Sequence, residues 1–168
     1  MENALTETER RILLNQYKIL SVLDPNGKDD YQESISILEN GFENEYENLA
    51  PDLHPEVSLE ISEFVRHVLD VYDRIGRAIE KNNMELSESQ RIHSLFHGFN
   101  SSSEDECLRY AEFLVKERGL FLRFQRADFS APGEHVGNYR KVLSCWEGLT
   151  EAQRENLSFK ELQILWES

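Results

Sequence analysis

Val57-Ser58-Leu59-Glu60-Ile61-Ser62-Glu63-Phe64-Val65-Arg66-His67-Val68-Leu69-Asp70-Val71-Tyr72-Asp73-Arg74-Ile75-Gly76-Arg77-Ala78-Ile79 is the stretch that decides the fold. Val57, Ile61, Phe64, Val65, Val68, Leu69, Val71, Tyr72, Ile75 and Ile79 recur at threes and fours, so a helix puts them on one broad face over about seven turns. This predicts a long central helix, about 55–81, with the rest of the chain packed around it, and His54 before Pro55 reads as its start. Gly76 lies at the edge of the apolar face, where the missing side chain predicts close approach of another backbone, at a helix-propensity cost of roughly 1 kcal/mol relative to alanine. On the other side Glu63 precedes His67 and Asp70 precedes Arg74, each by four residues in the favoured acid-before-base order, which describes a solvated face.

Working outward, helix signals dominate. Thr6 and Glu9 have capping-box spacing, and the first helix runs from there to Leu23, before Pro25 biases Asp24 away from helical geometry. A second helix from about Tyr31 turns Ile35 and Leu38 inward and ends at Gly41, whose tolerance of positive φ suits a helix C-terminus. Phe42, Tyr46 and Leu49 continue at helical spacing up to Pro51. Ser87 with Gln90, Ser103 with Glu106, Thr150 with Gln153 and Ser158 with Glu161 are further capping-box pairs, and Tyr139, Val142, Leu143 and Trp146 mark another helix. One short extended segment near 120–124, Leu120-Phe121-Leu122-Arg123-Phe124 after Gly119, is the most that strand formation can claim. The expectation is an all-α, multihelical single domain over residues 1–168.

Several stretches, read together, resemble one family. Asn15-Gln16-Tyr17-Lys18 and Leu23-Asp24-Pro25 in the first helix are the most specific. Asn40-Gly41-Phe42, Val68-Leu69-Asp70-Val71-Tyr72, Phe96-His97-Gly98-Phe99-Asn100, Glu117-Arg118-Gly119-Leu120-Phe121 and Tyr139-Arg140-Lys141-Val142-Leu143-Ser144-Cys145-Trp146 follow in order. In this series the chain resembles the YfbU family. The resemblance implies an all-helical, oligomeric bacterial protein without an assigned activity, and it supplies no catalytic residue to carry over.

Composition bounds the function classes. The 168 residues, 39% hydrophobic and 30% charged, describe an ordinary globular protein able to bury its own core. A formal charge of −14 repels nucleic-acid phosphates and anionic lipid headgroups, so neither DNA nor a membrane is an expected partner. The start, Met1 to Glu7, is acidic and lacks an apolar signal core, and no apolar run approaches the ~20 residues of a membrane span; a cytoplasmic location is expected. Cys107 and Cys145 match no metal or redox spacing and read as reduced thiols.

Candidate chemistry is sparse. Arg91 and His97 form an arginine-x5-histidine pair that resembles the motif of HEPN-type ribonucleases, dimers of helical bundles that appose two such motifs; Ile92 stands where a polar residue is usual, and the acidic surface opposes RNA. His93 and His97, four apart, would share a helical face, yet two imidazoles are too few for zinc, and no HExxH accompanies them; no metal and no cofactor are expected. The span Thr150 to Ser168 draws as two short helices, superficially a helix-turn-helix, but its second helix holds only Lys160 as a base against Glu161 and Glu167. In the first helix, Gln16 falls among Ile12, Ile19, Leu20 and Leu23, while Arg11, Asn15 and Lys18 line another side. Either Gln16 belongs to a buried hydrogen-bond network that fixes docking, or Asn15, Gln16 and Lys18 form a small ligand pocket. Leu162, Leu165 and Trp166 form an apolar patch on the last helix, read as an interface with another copy. The favoured function is a self-associating protein-interaction or regulatory module without catalysis, a homodimer or higher oligomer; the alternatives are the HEPN-like dimer and a small-ligand sensor on the first helix.

Overall fold

A computed structural model describes residues 5–49 and 54–167. The fold is all-α, and the chain forms two compact units, Met1–Pro55 and Glu56–Ser168.

The first unit is a helical hairpin. α1, Glu7–Leu23, starts on the expected capping box, with the Glu9 carboxylate accepting from the Thr6 N–H at 2.8 Å. Asp24 leaves helical geometry before Pro25, and its carboxylate accepts from the Asn26 N–H at 3.1 Å and the Tyr31 hydroxyl at 2.9 Å. A 3-10 turn, Pro25–Gly27, leads directly into α2, Lys28–Asn40, which therefore begins a turn earlier than Tyr31. Gly41 closes α2 in the left-handed region at φ 70°. The chain then tightens into a 3-10 segment, Glu43–Asn48, which leaves Phe42 exposed and turns Leu49 inward; the stop expected at Pro51 lies outside the described residues. Ile37, Leu38 and Leu49 form this unit's core against Leu13, Leu14, Tyr17 and Tyr46, and the Tyr17 hydroxyl donates to the Leu49 carbonyl.

The second unit is built on α3, Leu59–Lys81. Ser58 caps it, its hydroxyl accepting from the Ile61 N–H at 3.2 Å, so the helix starts after Pro55 and His54 rather than at them, and Val57 lies outside it. Val65, Val68, Leu69, Val71, Tyr72 and Ile75 of the expected face are buried. α4, Glu88–His93, begins on the Ser87–Gln90 box. Phe96 then enters an aromatic cluster, with ring centroids 5.6 Å from Phe99, 5.4 Å from Phe124 and 5.7 Å from Tyr139.

Extended structure forms elsewhere than at 120–124. β1, Phe99–Asn100, is followed by α5, Asp105–Glu112, which runs into a π-helical turn, Phe113–Glu117; β1 pairs in parallel with β2, Ser130–Ala131, in the register Phe99 with Ser130. Gly98 makes this possible. At φ 83°, a Cβ there would lie 2.3 Å from the Phe129 carbonyl oxygen, which accepts from the Phe99 N–H at 2.8 Å. By contrast, Phe121 takes left-handed geometry and Leu122–Phe124 closes into a 3-10 turn, the Phe124 N–H donating to the Phe121 carbonyl at 2.9 Å, so no partner strand is needed.

α6, Val136–Glu147, α7, Glu151–Glu155, and α8, Phe159–Trp166, complete the unit, the last two on their expected capping boxes. The Ser103 box does not form. The Asn100 side-chain oxygen takes the Ser102 N–H at 2.8 Å and the Ser103 N–H at 3.1 Å, which moves the helix start to Glu104. Glu104 is nearly buried, and its carboxylate accepts from three backbone N–H groups: Asn100 at 2.8 Å, His135 at 2.8 Å and Val136 at 2.7 Å. It thus joins β1 to the first turn of α6, where a negative charge also suits the helix dipole.

Candidate functional site

Two surfaces stand out, one in each unit. In the second unit an open groove of about 1540 Å³ lies between the C-terminal half of α3, residues 119–123 and residues 154–159. Asp73 of α3, only 5% exposed, anchors it. Its carboxylate meets Arg77 Nη2 at 2.5 Å and Arg123 Nε at 3.4 Å. Arg123 also forks onto Glu80, with both oxygens at 2.7 Å. Planar bidentate contact of this kind is the strong form of the ion pair. The Arg123 hydrogen bonds, then its charge, hold the Glu80 carboxyl below the usual range, and Glu80 raises Arg123 in turn.

Gly76 serves this network. A Cβ at Gly76 would sit 2.8 Å from Arg123 Nε, so what approaches the helix there is a guanidinium and not the backbone that the sequence suggests. The preceding residues store strain: Phe121 is an aromatic residue at φ 51°, a conformation that persists only where surrounding contacts enforce it. Leu120, Leu122 and Phe159 add exposed apolar surface to the lining. Nearby, Arg74 pairs with Asp70 at 2.8 Å, and the guanidiniums of Arg74 and Arg154 both lie 5.9 Å from the centre of the Trp146 ring. Chemically, a carboxylate whose pKa an arginine lowers, as Arg123 does for Glu80, is a poor proton donor at neutral pH, so this groove is suited to binding by charge and apolar contact.

The second surface is on α1. Leu13, Leu14 and Tyr17 pack against α2, and the strip beside them carries Ile12, Ile19, Leu20 and Leu23 at 52%, 57%, 39% and 73% exposure. α1 therefore has two apolar faces and covers one. Gln16 sits in the uncovered face and is exposed, which overturns the expectation of a buried amide network. Asn15 is exposed as well, and Lys18 pairs with Glu39 at 2.7 Å.

The remaining candidates are dispersed. α4 stops at His93, so His93 and His97 do not share a helical face. His93 Nδ1 lies 2.7 Å from the Ser89 carbonyl, and His97 Nε2 lies 2.9 Å from that of Ile92. Arg91 is exposed on α4, whereas His97 stacks on His135 with centroids 5.4 Å apart. Burial, then the neighbouring His97, lowers the His135 pKa, against the opposing pull of Glu104. No group of three or more metal-ligating side chains occurs among the described residues.

At the C-terminus, Leu162 and Leu165 are sealed in the second unit's own core, and Trp166, partly buried, donates from Nε1 to the Ser94 hydroxyl at 2.9 Å. The large apolar side chains that α8 leaves exposed are Phe159 and Ile164, beside the polar Lys160 and Gln163. Sequence reasoning missed Asp73, Arg123 and Glu104. Asp73 did carry a signal, an acid four residues after Leu69 on the edge of an apolar stripe, whereas nothing local marks Arg123 or Glu104 as partners of distant groups.

No helix among the described residues is long and apolar enough to cross a membrane. A model of the YfbU domain matches residues 3–167. The UPF0304 protein MJECS11 of Methanocaldococcus jannaschii is 30% identical over 149 residues, 85% of this chain and 88% of that protein, so the likeness extends to an archaeal relative. The chain belongs to the YfbU family.

Proposed function

We propose that this protein is a non-catalytic interaction module that associates with copies of itself. The observation that carries this reading is the uncovered apolar strip of α1, four large aliphatic side chains exposed beside the face that already packs on α2. A helix buries one stripe to stay folded; a second stripe of that size is a surface with a use. Phe159 and Ile164 of α8 offer a smaller additional patch to another copy. Residues 1–168 work as one domain in this reading, supported by the single family match across both units. The cytoplasmic assignment is supported by two free cysteines and the acidic surface.

The test is the mass in solution. Light scattering at micromolar concentration is expected to report a dimer or larger species, and Ile19→Asp, which puts a charge in the exposed stripe without touching the core, is expected to yield monomer with unchanged helicity. A monomeric wild type would overturn the reading.

A further inference from the structure

We propose that α1 packs against α1 of a second copy, parallel and in register, with the Gln16 side-chain amides facing each other. This rests on the self-association reading above and specifies its seam.

The spacing is the first argument. Ile12, Gln16, Ile19 and Leu23 are separated by four, three and four residues, the alternation that keeps one line of side chains facing a partner helix in a coiled coil. All four are exposed, and the residues packed on α2, Leu13, Leu14 and Tyr17, fall outside this line. The seam is thus free along its whole length while α2 supports the helix from another side.

The amide is the second argument, and it selects the occupant. No hydrogen bond engages the Gln16 side chain among the described residues, so an apolar partner laid over the seam would bury both its donor and its acceptor unpaired. A primary amide carries a donor and an acceptor and is complementary to another amide. A second copy of the same helix supplies that partner. Single polar residues in otherwise apolar seams set register in this way.

The orientation follows from what lies opposite what. In a parallel, in-register arrangement Ile12, Ile19 and Leu23 each meet their own counterpart above and below the amide layer. An antiparallel arrangement centred on Gln16 would oppose Ile12 with Leu20, but it would also set Leu23 against Glu9 and Ile19 against Leu13, which already packs on α2. Isoleucine at 12 and 19 with leucine at 23 is also a pattern that admits more than two strands, so larger parallel assemblies share the same register.

Cysteine cross-linking in a Cys145→Ser background reads the register directly. Under mild oxidation, Gln16→Cys is expected to form disulfide-linked dimers with itself, which places the seam, and Ile12→Cys is expected to do the same, which sets the orientation, because Ile12 meets its own counterpart only in the parallel register. Mixed Ile12→Cys and Leu20→Cys chains are expected to form no heterodimer. Efficient Ile12–Leu20 heterodimers without Ile12 self-linkage would overturn the orientation. An oligomeric wild type whose Gln16→Cys and Ile12→Cys variants do not cross-link would overturn the seam while leaving self-association standing through another surface. Gln16→Leu adds an independent readout: assembly should persist or tighten but lose its single mass, since the register device is gone, and a single unchanged mass would count against the amide's role. Because every substituted position on α1 is exposed, circular dichroism should be unchanged throughout.

Discussion

Replacing Glu104 by glutamine tests whether one buried carboxylate holds the second unit together. Its two oxygens accept the Asn100, His135 and Val136 N–H groups within 2.8 Å, and the residue is 8% exposed, so water cannot substitute. Glutamine keeps the shape but turns one oxygen into a donor. In its best orientation the remaining oxygen still serves His135 and Val136, and the NH2 group confronts the Asn100 N–H, donor against donor. An orphaned buried donor costs about 1–3 kcal/mol, and the two surviving bonds lose their charge assistance, about half their strength. The total, about 2–5 kcal/mol, lowers the thermal midpoint of a unit this size by on the order of 10 °C or more. Urea and thermal unfolding followed by near-UV circular dichroism would measure it, with exposed Glu134→Gln as the control for the change in net charge. A Glu104→Gln variant as stable as that control would refute the reasoning.

Other outcomes follow from the same structure. Gly98→Ala places a methyl group against the Phe129 carbonyl in a left-handed conformation, and a loss of more than about 3 kcal/mol, or failure to fold, is expected by urea titration. Glu80 titrates below the ordinary carboxylate value of 4.5, chiefly through Arg123, so its contribution to stability is complete above that value and is lost as pH falls through the lower folded value. Arg123→Ala should return the Glu80 carbon resonance in an NMR titration to the ordinary range; an unmoved titration would deny the fork. Burial pushes the Cys107 thiol up to about 11, so it should resist an aromatic disulfide reagent at pH 8 until the chain unfolds, and rapid labelling of Cys107 in the native protein would contradict its placement.

The helices were legible because their signals are local. The boxes at Thr6, Ser87, Thr150 and Ser158 each lie within a few residues and the structure keeps all four, while the α3 face rests on short repeats and loses only Val57, which precedes the helix. The box at Ser103 failed because Asn100 competes for the same backbone donors, a contest between neighbours that spacing alone does not rank. The parallel bridge was invisible for a different reason. Two-residue strands have no periodicity, and Gly98 matters only because Phe129 crosses it. Gln16 shows the limit of a helical wheel: the wheel placed the amide among apolar residues correctly, but an apolar face is not thereby a covered one. Leu162 and Leu165 show the converse, since a terminal helix that looks unpartnered in sequence is tucked into its own unit.

The tie that Glu104 and Gly98 make also sets an order of events in folding. The first unit is closed by helices adjacent in the chain, joined through the three residues of Pro25–Gly27, so little entropy is spent before contacts begin to repay it. In the second unit the bridge, the Glu104 bonds to His135 and Val136, and the Tyr139 hydroxyl, which donates to Gly98 and accepts from His97, all connect residues between 31 and 42 positions apart. The loop carrying the π-helical turn and the Phe121 kink has to fall into place before any of them can form. The hairpin should therefore gain protection from hydrogen exchange first, and the amides of Phe99, His135 and Val136 should gain theirs together and late, as a single closing step.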